Sequence, residues 1–215
     1  MDGIKEIVKR IDSMSGRHSP YSIFYDFVKS AALSMWGIVE TYNVRLKDRI
    51  EKEYLATIGK YKPEEVEVMA EMLGLLTISL QDSMEDVLGK VYMESGAGNK
   101  STGQFFTPFH IAELCAKLGI DLTETKKWKR PMVINEPSCG GGANVIAACK
   151  ALKEMGINYQ TAIRVKCQDL DWLCVYMCYL QLGLLGCKGE VVQIDTLANT
   201  QPDERHILKL PGTFL

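Results

Sequence analysis

The densest chemical signal in the chain is the run Glu136-Pro137-Ser138-Cys139-Gly140-Gly141-Gly142-Ala143. Three consecutive glycines let the backbone turn tightly and let a ligand reach the main chain without meeting a Cβ. The run follows an apolar strand pattern over residues 131–135 and opens a helical pattern over 143–155. In that setting a loop can present helix N-terminal N–H groups to a bound molecule. A plain glycine-rich connection has the same composition, so the loop gains its weight from Asp169. That acid stands at the end of the next strand pattern, where βαβ nucleotide sites put a carboxylate that accepts hydrogen bonds from ribose hydroxyls. Asp171 is the competing acid, and it suits equally the N-cap of a helix beginning at Trp172. The spacing departs from G-x-G-x-x-G, because Asn144 and Val145 follow the third glycine, and the Lys-Ser/Thr of a phosphate loop is missing.

Other chemistries find less support. Seven cysteines, at 115, 139, 149, 167, 174, 178 and 187, are odd in number and contain no C-x-x-C pair. They favour neither a disulfide framework nor a zinc site, and read as small buried side chains in a reducing compartment. His18, His110 and His206 are scattered without metal-ligand spacing, and no Ser/His/Asp or Cys/His set can be placed as a nucleophile. With 25 Lys+Arg against 27 Asp+Glu the net charge is −2. The chain has no bulk positive field for a polyanion and needs a local patch or a partner to meet DNA. One such patch is the cluster Lys126-Lys127-Trp128-Lys129-Arg130, which is equally a solvated loop. The first residues mix both charge signs with no apolar core, and the longest apolar run, Trp172 to Cys187, is broken by Gln181 and two glycines. The chain therefore reads as a soluble cytoplasmic protein with no membrane contact.

Residues 1–95 must supply a helical region. Apolar residues recur at three- and four-residue spacing, as in Phe24, Phe27, Val28, Ala31, Ala32 and Met35, and predict helices near 3–14, 21–36, 39–60, 63–81 and 82–94. Pro63 followed by Glu64 and Glu65 is a favoured first turn. The segment Ser95-Gly96-Ala97-Gly98-Asn99-Lys100 predicts a flexible joint, which divides a helical region 1–100 from a second domain 101–215. Beyond Pro108 the pattern alternates: helix 110–118, strand 131–135, helix 143–155, strand 163–167, helix 170–185, strand 190–194 and a short strand at 207–210. That order implies a mainly parallel α/β sheet of three or four strands with crossover helices.

The glycine run, with Glu136, Pro137, Cys139, Gly140 and Gly142 in place, resembles the Asp/Glu-Pro-x-Cys-Gly-x-Gly motif of S-adenosylmethionine-dependent adenine-N6 DNA methyltransferases. Upstream, Gly103-Gln104-Phe105-Phe106-Thr107-Pro108 resembles the segment with which modification subunits of type I restriction systems enter their catalytic domain. Cys167-Gln168-Asp169-Leu170-Asp171 resembles the family's next motif, and Gln193-Ile194-Asp195-Thr196-Leu197 its Gly-Asp-x-Leu motif, with Gln193-Ile194 replacing the glycine. The helical stretch from Asp86 to Met93 also looks like the segment preceding the first of these, so the resemblance covers roughly residues 20–200. It implies a Rossmann-like methyltransferase domain that binds S-adenosylmethionine. Thr107 and Pro108 would lie at the methionine end, Glu136, Pro137, Cys139, Gly140 and Gly142 would form the cofactor loop, Asp169 would bind the ribose and Asp195 the adenine. A loop-capping role for Asp195 is the alternative.

One part of the family pattern is not found. Such enzymes hold a flipped adenine with Asn/Asp-Pro-Pro-Tyr/Phe, whose oxygens accept from the exocyclic amine while the ring stacks on the base. No such tetrapeptide occurs in these residues, and at the corresponding distance after Asp195 stands Leu210-Pro211-Gly212-Thr213-Phe214. With Leu215 coming before the later strands of the usual sheet, the expectation is an incomplete sheet, open at the strand nearest the C-terminus. A protein partner or a second copy would cover that edge. Two readings follow: a DNA adenine-N6 methyltransferase-like protein that acts within a complex, and a non-catalytic subunit that keeps the cofactor pocket as a regulatory, decoy or interaction module.

Overall fold

The computed structural model describes residues 2–97, 106–120, 130–198 and 201–214. It divides into two compact units, Met1–Ser83 with Val87–Phe105, and Met84–Asp86 with Phe106–Leu215.

Unit 1 is helical: α1 (Gly3–Met14), α2 (Pro20–Val39), α3 (Val44–Ile58), α4 (Pro63–Ser83) and α5 (Val87–Glu94). Local chemistry sets the starts. Asp2, Ser19 and Asn43 accept backbone N–H groups as N-caps of α1, α2 and α3, Pro20 stands in the first turn of α2, and Pro63, Glu64 and Glu65 open α4. The apolar stripe of α2, from Ile23 to Trp36, is buried. Beside it the buried Asp26 carboxylate accepts from Lys60 Nζ at 2.9 Å and from Tyr61 Oη at 3.0 Å.

Unit 2 is the α/β part, with α6 (Phe109–Gly119), β1 (Met132–Glu136), α7 (Ala143–Glu154), the single turn α8 (Tyr159–Ala162), β2 (Ile163–Asp169), α9 (Trp172–Leu184), β3 (Gly189–Gln193) and β4 (Ile207–Lys209). Short 3-10 turns cover Glu204–His206 and Pro211–Phe214. The strand order is β1-β2-β3-β4, with the first three parallel. Registers run Met132 opposite Ile163, Val165 opposite Gly189 and Asp169 opposite Gln193, which puts the C-terminal ends of β1, β2 and β3 on one side. Small side chains let α6 approach α7, through Ala112, Ala143 and Ala147. Helix α9 is buried without a break from Leu173 to Leu182.

One feature differs from the sequence expectation. The edge nearest the C-terminus is not a parallel strand: β4 is three residues long and pairs antiparallel with β3, Glu190 opposite Lys209. A short antiparallel edge needs no crossover helix and offers few free backbone groups. Within the sheet, β2 buries Ile163, Val165 and Cys167 and exposes Arg164 and Lys166. That alternation belongs to a strand with one solvated face, not to one enclosed by helices on both sides. The turn α8 carried no expectation, because four residues are too few for a periodic pattern. Among the described residues no helix is long and apolar enough to cross a membrane.

Candidate functional site

The glycine loop leaves the C-terminal end of β1 and enters α7, and its shape depends on residues that tolerate positive φ. Gly140 lies at φ +52° and Gly142, the N-cap of α7, at +97°. A Cβ at Gly142 would stand 3.3 Å from the Cys178 sulfur. Because the N-cap is glycine, no side chain caps the first turn of α7. No side chain therefore offsets the partial positive charge of its first N–H groups.

Loop, acid and neighbouring strand ends are joined by hydrogen bonds. Gly140 N donates to Asp169 Oδ2 at 2.9 Å, and Cys139 N to Gln168 O at 2.8 Å. Asp169 Oδ1 accepts from Asp171 N at 3.0 Å, and Asp169 O from Ile194 N at 2.9 Å. Thr196 Oγ1 closes the circuit by donating to Pro137 O at 2.7 Å. The ends of β1, β2 and β3 are thereby fixed to one another. Glu136 braces its own turn, accepting from Ser138 N through Oε1 and from Asn144 Nδ2 through Oε2.

The two competing acids take different roles. Asp171 caps α9 by accepting from Leu173 N at 2.8 Å, while Asp169 faces the glycine loop. Asp195 is exposed and accepts from Leu197 N at 3.0 Å, the bond of a loop-capping acid. Thr107 and Pro108 are exposed at the start of α6, and they reach the loop through their neighbour: the Phe106 ring lies 3.2 Å from where a Gly140 Cβ would be. Gly103, Gln104, Phe105 and Lys126 to Lys129 lie outside the described residues.

Cys139 is buried beneath the loop beside Cys178. Its hydrogen bond with Cys178 lowers the thiol pKa, but burial and the nearby Cys167, Asp169 and Glu136 outweigh it and raise the balance. Cys178 is held well above the usual thiol range by hydrogen bonds to Cys139 and Cys167 and by burial. These are protonated, packed thiols and not nucleophiles. Among the described residues no group of His, Cys, Asp and Glu could hold a metal ion, and all seven cysteines are free. Trp172 stacks on the buried Tyr176 with centroids 5.1 Å apart, and His206 meets its ring at 5.5 Å in a T-shaped pair. The rings therefore serve the start of α9.

Leu210 to Phe214 lies elsewhere. Thr213 Oγ1 accepts from Gly189 N at 2.8 Å, and a Cβ on Gly212 would come within 2.6 Å of the Gly186 and Cys187 carbonyls. Gly189 begins β3, so this segment packs at the end of the sheet opposite to Asp169 and the glycine loop.

Sequence reasoning passed over two polar residues beside the loop, Gln181 and Asp86. A signal for the first was present, since Gln181 is the polar interruption of the apolar run that forms α9.

A glycine loop between a parallel strand and a helix, tied to an acid at the end of the next strand, defines a nucleotide-type cofactor fold. Residues 82–209 match the model of the N-6 DNA Methylase family, over half of the chain, and the chain belongs to that family. Among solved structures it is similar to a protein from Listeria monocytogenes assigned as a class I S-adenosylmethionine-dependent methyltransferase, at 17% identity and a TM-score of 0.49, covering 94% of this chain and 56% of that one. It is also similar to the type I restriction-modification system methyltransferase subunit from Streptococcus thermophilus, at 13% identity and a TM-score of 0.48, covering 94% and 59%. The chain thus spans less than two thirds of the length of either. No curated protein matches it.

Proposed function

We propose that unit 2 binds S-adenosylmethionine as the cofactor-holding part of an adenine-N6 DNA methylase. The observation that carries this reading is the 2.9 Å bond from Gly140 N to Asp169 Oδ2, which puts the Cβ-free loop and the acid at one strand end. The residues fit the group. Gly140 and Gly142 supply the positive-φ turns that bring the loop's main chain to the strand end, the uncapped start of α7 suits the methionine carboxylate, and Asp169 keeps lone pairs for ribose hydroxyls. Thr107, Pro108, Glu136, Pro137 and Cys139 shape the methionine side, and Asp195, at the end of β3, lies on the adenine side. When bound, the cofactor supplies an electrophilic methyl group. This chain's residues bind and orient it, and none of them is assigned to the target base.

A second reading, a non-catalytic subunit that keeps the pocket, is favoured by one observation. The segment at the spacing of the base-holding tetrapeptide, Leu210 to Phe214, packs at the far end of β3. Under either reading DNA is met within a complex, with a protein partner or a second copy.

Calorimetric titration with S-adenosylmethionine and S-adenosylhomocysteine tests the shared part. Saturable binding that is lost in Asp169→Ala and in Gly140→Val supports it, and no binding by the parent protein overturns it. Transfer of labelled methyl groups to adenine in DNA, by the chain alone and with candidate partners, separates the two readings.

A further inference from the structure

We infer that Gln181 and Asp86 are positioning residues for the glycine loop, clamping the Gly141 carbonyl so that the loop keeps its ligand-ready path. The inference rests on the cofactor reading above. Gln181 has no exposed surface, in a helix whose other residues from Leu173 to Leu182 are nearly all apolar and all buried. A primary amide in such a place is costly unless its N–H groups are used. Both are used: Gln181 Nε2 donates to Gly141 O at 2.7 Å and to Asp86 Oδ1 at 2.8 Å. Leucine would serve the apolar helix at least as well, so the amide's role lies in what it holds.

The acid is brought there at a cost. Asp86 is buried and belongs to Met84–Asp86, the three-residue segment that joins unit 2 although α4 and α5 flank it in sequence. Met84, also buried, takes φ +49°, the left-handed region that a side chain disfavours. The Asp86 carboxylate then packs on the loop so closely that a Cβ on Gly141 would stand 2.7 Å from Oδ1. The middle glycine, whose φ is ordinary, is thus required by Asp86 and not by backbone conformation.

The clamp completes the restraint of two alternate peptide planes, on either side of the Gly140–Gly141 plane. The plane between Cys139 and Gly140 is held by Gly140 N on Asp169 Oδ2 and by Gly142 N on Cys139 O at 2.8 Å. The plane between Gly141 and Gly142 is held by that same Gly142 N–H and, at its carbonyl, by Gln181. Without Gln181 the second plane keeps one restraint and can rotate between two glycines at little steric cost. Loop geometry is then lost while the strands and α9 remain.

The test compares Gln181→Leu, Asp86→Ala, Asp86→Asn and the double variant Gln181→Leu/Asp86→Ala in the full chain. Readouts are S-adenosylhomocysteine affinity, thermal unfolding, and hydrogen exchange at the Gly140 and Gly142 amides. Expected are at least tenfold weaker binding and at least tenfold faster exchange at those two amides in Gln181→Leu and in Asp86→Ala, with the amides of β2 and β3 unmoved. Asp86→Asn, which keeps an oxygen acceptor for Gln181, restores both to within threefold, and the double variant loses no more than either single one. Unchanged exchange at Gly140 and Gly142 in both single variants overturns the clamp, whatever the affinity. If the parent protein binds no cofactor, the cofactor reading fails while the exchange measurement still decides the clamp. If Gln181→Leu does not fold, Asp86→Ala against Asp86→Asn carries the same comparison.

Discussion

The Gly140 amide donates to the Asp169 carboxylate at 2.9 Å across 29 residues of sequence, so the acid at the end of β2 fixes the loop at the end of β1. Its other oxygen holds Asp171 N, the residue that caps α9. Asp169→Ala leaves both amides without their acceptor, at a cost of about 1–3 kcal/mol for each that water does not reach. We expect lower thermal stability of the α/β unit and S-adenosylmethionine binding weakened at least tenfold. Asp169→Asn, with one acceptor oxygen for two donors, should fall between. Calorimetric titration beside thermal denaturation checks both effects.

Thr213 is expected to separate stability from binding. Its hydroxyl accepts from Gly189 N at 2.8 Å and donates to Gly189 O at 3.0 Å, pinning the chain after β4 to the start of β3. Thr213→Val removes both bonds with little change in volume and should destabilise the α/β unit by about 1–3 kcal/mol. Since Gly189 and Asp169 stand at opposite ends of the parallel strands, cofactor affinity should stay within twofold of the parent. A variant that lost affinity in proportion to stability would place Leu210 to Phe214 functionally closer to the loop than its packing does.

Alkaline conditions should weaken the fold in a defined window. Burial, with a smaller contribution from the nearby Cys187 and Cys149, raises the Tyr159 phenol to about 12, while its hydroxyl donates to Leu185 O at 2.8 Å. A pKa raised by folding means that the native state holds its proton more tightly than the unfolded chain. That contribution is complete below the unfolded value of about 10 and is lost as pH rises towards about 12. Solvent at the half-buried ring reduces its size. Urea unfolding midpoints of the parent should fall across this window. Tyr159→Phe should start lower at neutral pH and fall less steeply.

The sequence made the elements of both units legible because their signals are local. The strand pattern of β2, the glycines before α7, the Pro63 first turn of α4 and the cap at Asp171 each depend on residues within a turn or two, whereas the start of α3 at Val44, after the Asn43 cap, falls inside the helix expected over 39–60. Asp169 and Asp171 were both legible as acids after a strand pattern, but which of them meets the glycine loop and which caps α9 needed the loop's position in space. Asp195 shows the opposite limit, since the same short pattern serves a ligand or its own turn, and the bond from Leu197 N to one carboxylate oxygen is compatible with both. The direction of β4 was not legible in three residues, because parallel and antiparallel partners bury the same side chains. Gln181 was visible as a polar break in an apolar run, but its partners are 40 and 95 residues away, and only tertiary structure joins them.

The cysteines should report the integrity of this core without any ligand. Six of the seven are buried and only Cys115, on the outer side of α6, is exposed. Cys149 and Cys187 lie with sulfurs 3.7 Å apart, and hydrogen bonding between them together with burial lifts the Cys149 thiol well above its usual range. Burial does the same for Cys174, assisted by Asp169 and Asp171. Attack on a disulfide reagent requires an accessible thiolate, so Cys149 and Cys174 fail on both counts, and the other buried thiols on access, while the α/β unit is folded. Reaction of the native protein with an aromatic disulfide reagent at pH 8 should release one equivalent rapidly, and Cys115→Ser should abolish that phase. The remaining six should react only at the rate of global unfolding. Rapid release of more than one equivalent from the folded protein would show that the α/β unit opens locally, and mass spectrometry of the labelled peptides would identify where.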